Sequence, residues 1–202
     1  RVLEIEIAEL RRVQRSLGRG FARVVDLLLD RLTRGGKLVW TGVGKNLPIA
    51  QKIAATLTST GAPSVVLHPS DAMHGDLGIV QPTDVVVAMS YSGASDELLQ
   101  LVPALKRLGA PVVAFTADAR SPLARLCDSV LCVRVRREAC PFNLAPTAST
   151  TAMLAVGDAL AITLLQARGF GRDDYAKLHP AGAIGRALLL RVRDIMRTGP
   201  RL

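Results

Sequence analysis

The feature that most constrains the fold is an alternation of short apolar runs with longer segments of helical periodicity. The apolar runs are bounded by Gly, Ser, Asp or Pro and cover residues 37–41, 64–67, 84–89, 112–116 and 130–135. The helical segments cover 47–60, 96–108 and, more briefly, 123–126. Buried parallel strands appear as continuous apolar runs, and strands that alternate with helices are joined by right-handed crossovers. The pattern predicts an α/β domain, a three-layer αβα fold around an open, five-stranded parallel sheet.

Helices are also predicted on both sides of this region. Before the first strand, apolar residues recur at helical spacing in two sets separated by Gly18 and Gly20, which indicates two amphipathic helices. After the last strand, residues 149–168 are apolar on all sides. Because a helix that is apolar all round is usually buried, we expect this one in the core or at a subunit interface.

The charge of the chain narrows the classes of partner. The formal net charge is +9, and arginines concentrate near both ends of the sequence. Such charge attracts nucleic acids or anionic metabolites. Aromatic residues make up only 3% of the chain, and no nucleic-acid-binding motif is recognisable. We therefore expect a solvated arginine-rich surface and no nucleic-acid partner; polyanion binding remains the alternative, and it predicts salt-dependent retention on a nucleic-acid column.

Cysteine usage and hydropathy indicate the compartment. Cys127, Cys132 and Cys140 have neither the density of a disulfide scaffold nor the spacing of a metal site, which favours reduced thiols in a cytoplasmic protein. We expect no apolar run long enough to cross a bilayer, no leader and no membrane partner. The first residue is not Met, so we expect a fragment or missing leading residues.

Two glycine-containing turns follow predicted strands, where ligands bind in open α/β sheets. The first, Gly42-Val43-Gly44-Lys45, combines flexible backbone, a helix amino end with free N–H groups and a cation. The second, Ser90-Tyr91-Ser92-Gly93-Ala94-Ser95, places three hydroxyls at a helix amino terminus, which suits a phosphate monoester. The alternative for the second turn is a polar loop with Ser95 as an ordinary N-cap.

Three further polar residues, His74, Glu138 and His179, each have both a structural and a functional interpretation. His74, with Asp71 and Asp76, is either a hydrogen-bonded loop residue or part of a metal site, and the structural interpretation is favoured. Glu138 forms either a surface salt bridge or a catalytic carboxylate. His179 either caps a following helix or acts as an acid/base.

Five segments taken together resemble one family: GVGK, HPSDAMHGDLG, SYSGASDE, EACPFNLAPTASTTAMLAVGDALA and HPAGAIG. Their order is similar to that in the arabinose-5-phosphate isomerases of the sugar isomerase (SIS) superfamily. The similarity runs from about Val39 to Leu190, and the EACP…LAPTxST and HPxGxxG elements separate this branch from other SIS proteins. The resemblance implies a flavodoxin-like SIS domain over residues 1–190.

The resemblance also implies the site residues. The four catalytic positions of the family match Lys45, Glu97, Glu138 and His179. The implied substrate-binding residues are Gly44, His74, Ser90, Ser92, Gly93, Ser95, Thr147 and Ser149. The family needs no cofactor but binds inhibitory zinc through a histidine that matches His74. It usually forms homotetramers and serves lipopolysaccharide or capsule precursor synthesis in bacteria.

The chain departs from the family in two turns and ends near a possible second module. Asn46-Leu47-Pro48 replaces the usual Ser-Gly after the GxGK lysine, and Tyr91 and Ala94 replace Asn and Glu in the serine loop. Several members continue into paired CBS regulatory domains, and Val192-Arg193-Asp194-Ile195-Met196 resembles the start of the first. Residues 191–202 are therefore expected to be the truncated start of such a module, or a linker.

The implied reaction interconverts D-arabinose 5-phosphate and D-ribulose 5-phosphate through a cis-enediol. In it, Glu138 would move the proton between C2 and C1, and His179 would act on ring opening or on the O1/O2 protons, although these roles could be exchanged. Both groups would need a pKa near neutrality. Lys45 would stabilise negative charge on oxygen, and Glu97 would orient Lys45 or a sugar hydroxyl.

Two alternatives remain for the function. Because the Asn46-Leu47-Pro48 turn changes the donors near the sugar, the substrate could be another aldose phosphate. SIS domains also serve as non-catalytic sugar-phosphate sensors, but a regulator normally carries a DNA-binding helix-turn-helix, which the leading helices lack.

Overall fold

The computed structural model describes residues 1–180 and Met196. Two sequence-based expectations lie outside the described residues: the part of the HPxGxxG motif that follows Pro180, and the boundary at residue 190 with the CBS-like segment, of which only Met196 is described.

In the described part of the chain, strands alternate with helices as the sequence predicts, but the short helices Pro69–Met73 and Arg172–Leu178 were not predicted. The strands are β1 (Leu38–Gly42), β2 (Ser64–Val66), β3 (Val85–Met89), β4 (Val112–Thr116) and β5 (Ser129–Cys132). The helices are α1 (Val2–Ser16), α2 (Arg19–Thr33), α3 (Asn46–Ser59), α4 (Pro69–Met73), α5 (Asp96–Arg107), α6 (Pro122–Leu126), α7 (Ala148–Ala167) and α8 (Arg172–Leu178), with a 3-10 turn at Asp76–Ile79.

The five strands form one parallel sheet in the order β2-β1-β3-β4-β5. Every residue of β1, β3 and β4 is buried, as expected for central strands covered on both faces. The predicted run 130–135 is a strand only to Cys132, although Val133 still donates its N–H to the Thr116 carbonyl at 2.8 Å. The three-layer αβα fold is therefore confirmed.

Alternate residues of each strand enter two separate hydrophobic cores. Trp40 and Phe115 point to the face covered by α1, α2, α3 and α7, whereas Val39 and Ala114 point to the face covered by α4, α5 and α6. This two-sided burial fixes the register of the sheet, because a slip of one residue would exchange the faces of all side chains in a strand.

Helix α7 corrects one expectation from the sequence. Its 20 residues, with a mean hydropathy of 1.6, are long and apolar enough to cross a bilayer, which the sequence had not led us to expect. Half of the apolar window is buried inside the domain, where α7 packs against α1 and α3. A Cβ at Gly157 would lie 2.3 Å from Ile53 Cδ1, so glycine permits the close approach of α3 and α7. These contacts are those of a core helix.

Candidate active site

The strand order places two loops at the point where the topology of the sheet reverses. The chain moves outward to β2 after β1 and crosses to the other side of β1 at β3, so the carboxyl ends of β1 and β3 border the ligand-binding crevice of this fold type. Gly42 pairs with Met89, which brings the Val43–Lys45 turn and the Ser90–Ser95 loop out of the sheet side by side. The two motifs chosen from the sequence therefore share one crevice.

The Ser90–Ser95 loop gathers three hydroxyl groups. Ser90 Oγ lies 2.8 Å from Ser95 Oγ and 3.5 Å from Ser92 Oγ. Ser90 is buried, and its hydroxyl also accepts the N–H of Gly93 at 3.1 Å. The loop thus folds around its own hydroxyls at the amino end of α5.

The amino end of α5 keeps free donors. The side chain of Ser95 does not cap the helix, because its hydroxyl is bonded to that of Ser90, and this contradicts the ordinary N-cap interpretation. Within the described chain, no group accepts the backbone N–H of Ser95, Asp96 or Glu97. Free N–H groups at the positive end of a helix dipole, next to hydroxyls, form a cradle for a phosphate.

Gly93 allows this loop to close against the next strand. Its φ is +65°, and an added Cβ would lie 2.2 Å from Ser121 Oγ and 2.9 Å from Thr116 Oγ1. The Gly93 carbonyl accepts the N–H of Leu123 at 2.9 Å. The loop is therefore held in place by α6 as well as by its own serines.

The amino end of α3 differs from what the sequence suggested. We expected free N–H groups there, but Asn46 and Leu47 donate theirs to Val43 and Gly44, each at 3.2 Å, and Pro48 has none. Within the described chain, Asn46 and Leu47 therefore offer no free N–H to an anion, whereas the amino end of α5 does.

Lys45 and Glu97 are both exposed at the crevice. Lys45 precedes α3 after Gly44, which has a φ of +58°, and Glu97 lies in the first turn of α5. No ion pair joins the two within the described residues, so both charges are available to a ligand.

Glu138 is bound to the start of α7. Its Oε2 accepts the N–H of Thr147 at 2.8 Å, the hydroxyl of Thr147 at 3.1 Å and the N–H of Ser149 at 3.1 Å. The intervening loop turns back through Asn143, whose side chain accepts the Glu138 N–H. Thr147 and Ser149, which the resemblance implied as substrate-binding residues, therefore hold the carboxylate of Glu138, and no described residue forms the surface salt bridge considered for Glu138.

These hydrogen bonds determine the direction in which the pKa of Glu138 is shifted. Burial by itself raises the pKa of this carboxyl, but hydrogen bonds from Ser149 and Thr147 outweigh it and hold the pKa below its ordinary value. The expected shift towards neutrality is therefore not found, and Glu138 is a carboxylate at neutral pH. A cavity of about 280 Å³ adjoins it, lined also by Arg137, Cys140 and residues of α1.

The histidines near α4 have local roles. His68 Nδ1 accepts the N–H of Ser70 at 3.2 Å and caps α4, while His74 is exposed at its carboxyl end. No group of three or more His, Cys, Asp or Glu side chains in the described residues could hold a metal ion. The metal site considered for His74, Asp71 and Asp76 is therefore not formed.

His179 is the residue that follows α8, and it lies beside α3 and β2. Its ring stacks on Tyr175 with centroids 4.0 Å apart, and its Nδ1 lies 2.8 Å from the Tyr175 carbonyl. Since a carbonyl only accepts, Nδ1 carries the proton of this hydrogen bond, and Nε2 is the ring nitrogen without a partner among the described residues. His179 borders a cavity of about 560 Å³ formed by α3 and β2, and no described hydrogen bond links it to Lys45, Glu97 or Glu138.

Two residues that support the site were not identified as such from the sequence. Tyr91 was noted only as a departure from the family, yet its hydroxyl accepts the N–H of Val135 at 3.1 Å. Glu9 was missed, although it is buried and accepts the N–H of Arg136 at 2.8 Å. A signal existed for Glu9, because it lies between Ile5 and Val13 at the four-residue spacing of the apolar face of α1.

The sequence matches a known domain family and several curated relatives. A family model described as the SIS domain matches residues 31–163. The arabinose 5-phosphate isomerase KdsD of Shigella flexneri is 57% identical over 164 residues, which are 81% of this chain and 50% of that protein. The KdsD of Salmonella typhi is 50% identical over 198 residues, 98% of this chain and 60% of that protein. The chain thus spans about half the length of the curated relatives it matches.

Solved structures share the whole architecture. An Escherichia coli CFT073 protein in complex with arabinose 5-phosphate has a TM-score of 0.85 and 40% identity, over 89% of this chain and 94% of that one. A phosphosugar isomerase involved in capsule formation from Bacteroides fragilis has the same TM-score, 36% identity and the same coverage of both chains.

Proposed function

The chain belongs to the SIS domain family, and from that premise we propose that it is an aldose–ketose isomerase that interconverts D-arabinose 5-phosphate and D-ribulose 5-phosphate. The observation that carries the proposal is the cradle of Ser90, Ser92 and Ser95 with the free amides of α5, which suits a phosphate monoester at the topological switch point. The relatives named for this activity, and the solved relative that holds arabinose 5-phosphate, support the choice of sugar.

In the proposed reaction, the phosphate anchors the open-chain sugar and the reacting carbons extend away from α5. A base removes the C2 proton of the aldose while O1 gains a proton, which forms the cis-enediol. Protonation at C1 and loss of the O2 proton then complete the ketose. We assign the proton transfer between C2 and C1 to Glu138, because its carboxylate is ionised at neutral pH and fixed in position by Thr147 and Ser149.

The remaining charges have supporting roles in this proposal. Lys45 stabilises negative charge that develops on oxygen, and Glu97 orients a sugar hydroxyl rather than Lys45, with which it makes no ion pair in the described chain. Neither step draws on a metal or an organic cofactor.

His179 fits the reaction only as part of an assembly. Its free Nε2 could serve ring opening or the O1/O2 protons, but its neighbours in the chain belong to α3, β2 and α8. We propose a cytoplasmic homotetramer in which His179 completes the site of a neighbouring subunit. Exposed apolar side chains support such an assembly: Leu3 and Ile7 on α1, Ile162 on α7, and Phe142 and Leu144 beside Glu138.

The test is isomerase activity on D-arabinose 5-phosphate with a chelator present. We expect the wild type to form ribulose 5-phosphate, Glu138→Gln to lose roughly 10²- to 10⁴-fold in kcat, and Ser92→Ala mainly to raise KM. Glu4→Gln, on the exposed face of α1, is the charge-matched control and keeps full activity. Ribose 5-phosphate and glucose 6-phosphate, assayed in parallel, test the alternative aldose phosphates.

Two results would change the assignment. Turnover of another aldose phosphate in preference to arabinose 5-phosphate would keep the reaction class and replace the substrate. Calorimetric binding of sugar phosphates without any turnover would move the protein to the sensor class.

A further inference from the structure

Tyr91 of the serine loop is held by hydrogen bonds of both its main chain and its side chain. Its carbonyl accepts the N–H of Ala117 at 3.0 Å and the hydroxyl of Thr116 at 3.2 Å, so its backbone is tied to the end of β4. Its half-buried ring packs against the core formed with α1, α2, α3 and α7. The main chain of Tyr91 is thus fixed beside the phosphate cradle while its side chain points away from it.

The Tyr91 hydroxyl reaches the segment that leads to Glu138. It accepts the N–H of Val135 at 3.1 Å, although 44 residues separate the two in sequence. At this point β5 has ended, and among the described residues the segment has no further strand partner beyond Val133. A side chain from the phosphate loop therefore replaces the missing sheet hydrogen bond.

Glu9, on α1, accepts a hydrogen bond from the next residue of the same segment. Its Oε2 accepts the N–H of Arg136 at 2.8 Å, and only 7% of Glu9 is exposed. A buried carboxylate is costly unless it is hydrogen-bonded, so this contact indicates that α1 is built to hold the segment. Arg136 lies two residues before Glu138.

We propose that Tyr91 and Glu9 are positioning residues that hold the 135–138 segment at a fixed position relative to the phosphate cradle. In this position, the Glu138 carboxylate contacts the reacting carbons of a sugar whose phosphate is bound at α5. The proposal rests on the proposed isomerase function for its kinetic consequence. Its structural content, the coupling of the Tyr91 and Glu9 side chains to the Glu138 segment, can be measured without turnover.

The kinetic test uses Tyr91→Phe, which removes the hydroxyl and keeps the ring. Because a small displacement of a catalytic group slows chemistry more than binding, we expect kcat to fall about 10-fold with KM changed less than about twofold. Thr33→Val, which removes a hydroxyl bonded to the Leu29 carbonyl in α2, is the matched control and keeps wild-type kinetics. A rise in KM with unchanged kcat would overturn the proposal, because Tyr91 would then act only on the phosphate.

Glu9 provides an independent pair of variants. Glu9→Ala removes the acceptor for the Arg136 N–H and should lower kcat by a similar factor, whereas Glu9→Gln keeps an acceptor oxygen and should restore most of it. Equal loss in both variants would contradict the positioning role, since it would point to the charge instead. These two Glu9 variants also test the positioning role if Tyr91→Phe fails to fold.

Amide hydrogen exchange tests the positioning role of Tyr91 and Glu9 independently of isomerase activity. The N–H groups of Glu138 and Ala139 are bonded to Asn143 and Thr147, so their protection reports on the segment. We expect faster exchange at both in Tyr91→Phe and Glu9→Ala, with the amides of β1 and β3 unchanged. Unchanged exchange at Glu138 and Ala139 would overturn the positioning role whatever the activity, and absence of turnover in the wild type would overturn only the proposed function.

Discussion

Glu138 Oε2 lies 2.8 Å from the backbone nitrogen of Thr147, the N-cap residue of the longest helix in the described chain. The carboxylate therefore has two roles at once: it satisfies N–H groups at the start of α7, and it is the candidate base of the site. Negative charge at a helix amino terminus is also stabilised by the helix dipole. One residue thus joins the stability of α7 to the proposed chemistry.

The dual role of Glu138 predicts a pH-dependent contribution to stability. Because its folded-state pKa is lowered from an ordinary value of 4.5, the carboxylate stabilises the fold above that value and loses this contribution as the pH falls through the lower folded-state pKa. We expect Glu138→Gln to be less stable than the wild type in urea at pH 7, and the difference to shrink below about pH 4. A difference that persists unchanged into acid would show that ionisation of Glu138 does not contribute.

Asp84 is predicted to be a main polar support of the central sheet. It is 2% exposed and accepts hydrogen bonds from the Lys37 backbone at 2.9 Å, the Lys37 ammonium at 2.6 Å and the Gln81 backbone at 2.8 Å. Asp84→Ala leaves these donors unpaired and should lower the free energy of unfolding by about 3 kcal/mol. Chemical denaturation measures this directly.

Asp128 is the matched control for Asp84. It makes two contacts of the same kind, with the Lys106 ammonium and with the N–H of Val112 at the start of β4, but it is 39% exposed. Asp128→Ala should therefore cost only about 1 kcal/mol, because water replaces the lost partner. Equal costs for the two substitutions would show that burial is not the deciding factor.

Gly93→Ala is predicted to damage the phosphate cradle. The added Cβ would clash with Ser121, and φ is +65°, so the loop must move. We expect a loss of about 2 kcal/mol or more in stability and a marked loss of affinity for sugar phosphate in calorimetry. Gly35→Ala has a similar φ of +79° with nothing near the new Cβ, so it should cost stability without affecting binding.

The three cysteines are predicted to differ in reactivity. Backbone hydrogen bonds from Ala145, Leu144 and Phe142 lower the pKa of the Cys140 thiol, whereas burial raises that of Cys127 to about 12. Because the thiolate is the reactive form, iodoacetamide at pH 7.5 should modify Cys140 first and Cys127 last. Peptide mass mapping over time gives the order, and Cys140→Ser should remove the fast phase. Modification of Cys132 at the rate of Cys140 would contradict the prediction, since burial also raises the pKa of Cys132.

The fold and most of the candidate site were predictable because their signals are local. Continuous apolar runs such as 85–89 identify buried parallel strands, and glycine with serine after a strand identifies the loop at Ser90–Ser95. Local patterns made Lys45, Glu138 and His179 candidates only, and the catalytic roles of these residues and of Glu97 came from the resemblance to a family.

Other features depended on which hydrogen bonds form in the folded chain, and these cannot be read from the residue types alone. The sequence showed a helix amino end at Asn46, but only the turn hydrogen bonds to Val43 and Gly44 show that its donors are occupied. The direction of the pKa shift of Glu138 depends on Thr147 and Ser149, which approach it only through the loop around Asn143.

The sequence by itself determined the order of strands and helices, because periodicity and turn residues act over a few positions along the chain. The tertiary structure decided which polar groups are already bonded and which are free, because hydrogen bonds such as that of Tyr91 with Val135 or Glu9 with Arg136 join residues far apart in the chain. Such bonds form only after the two faces of the sheet are packed, and packing is a property of the whole domain.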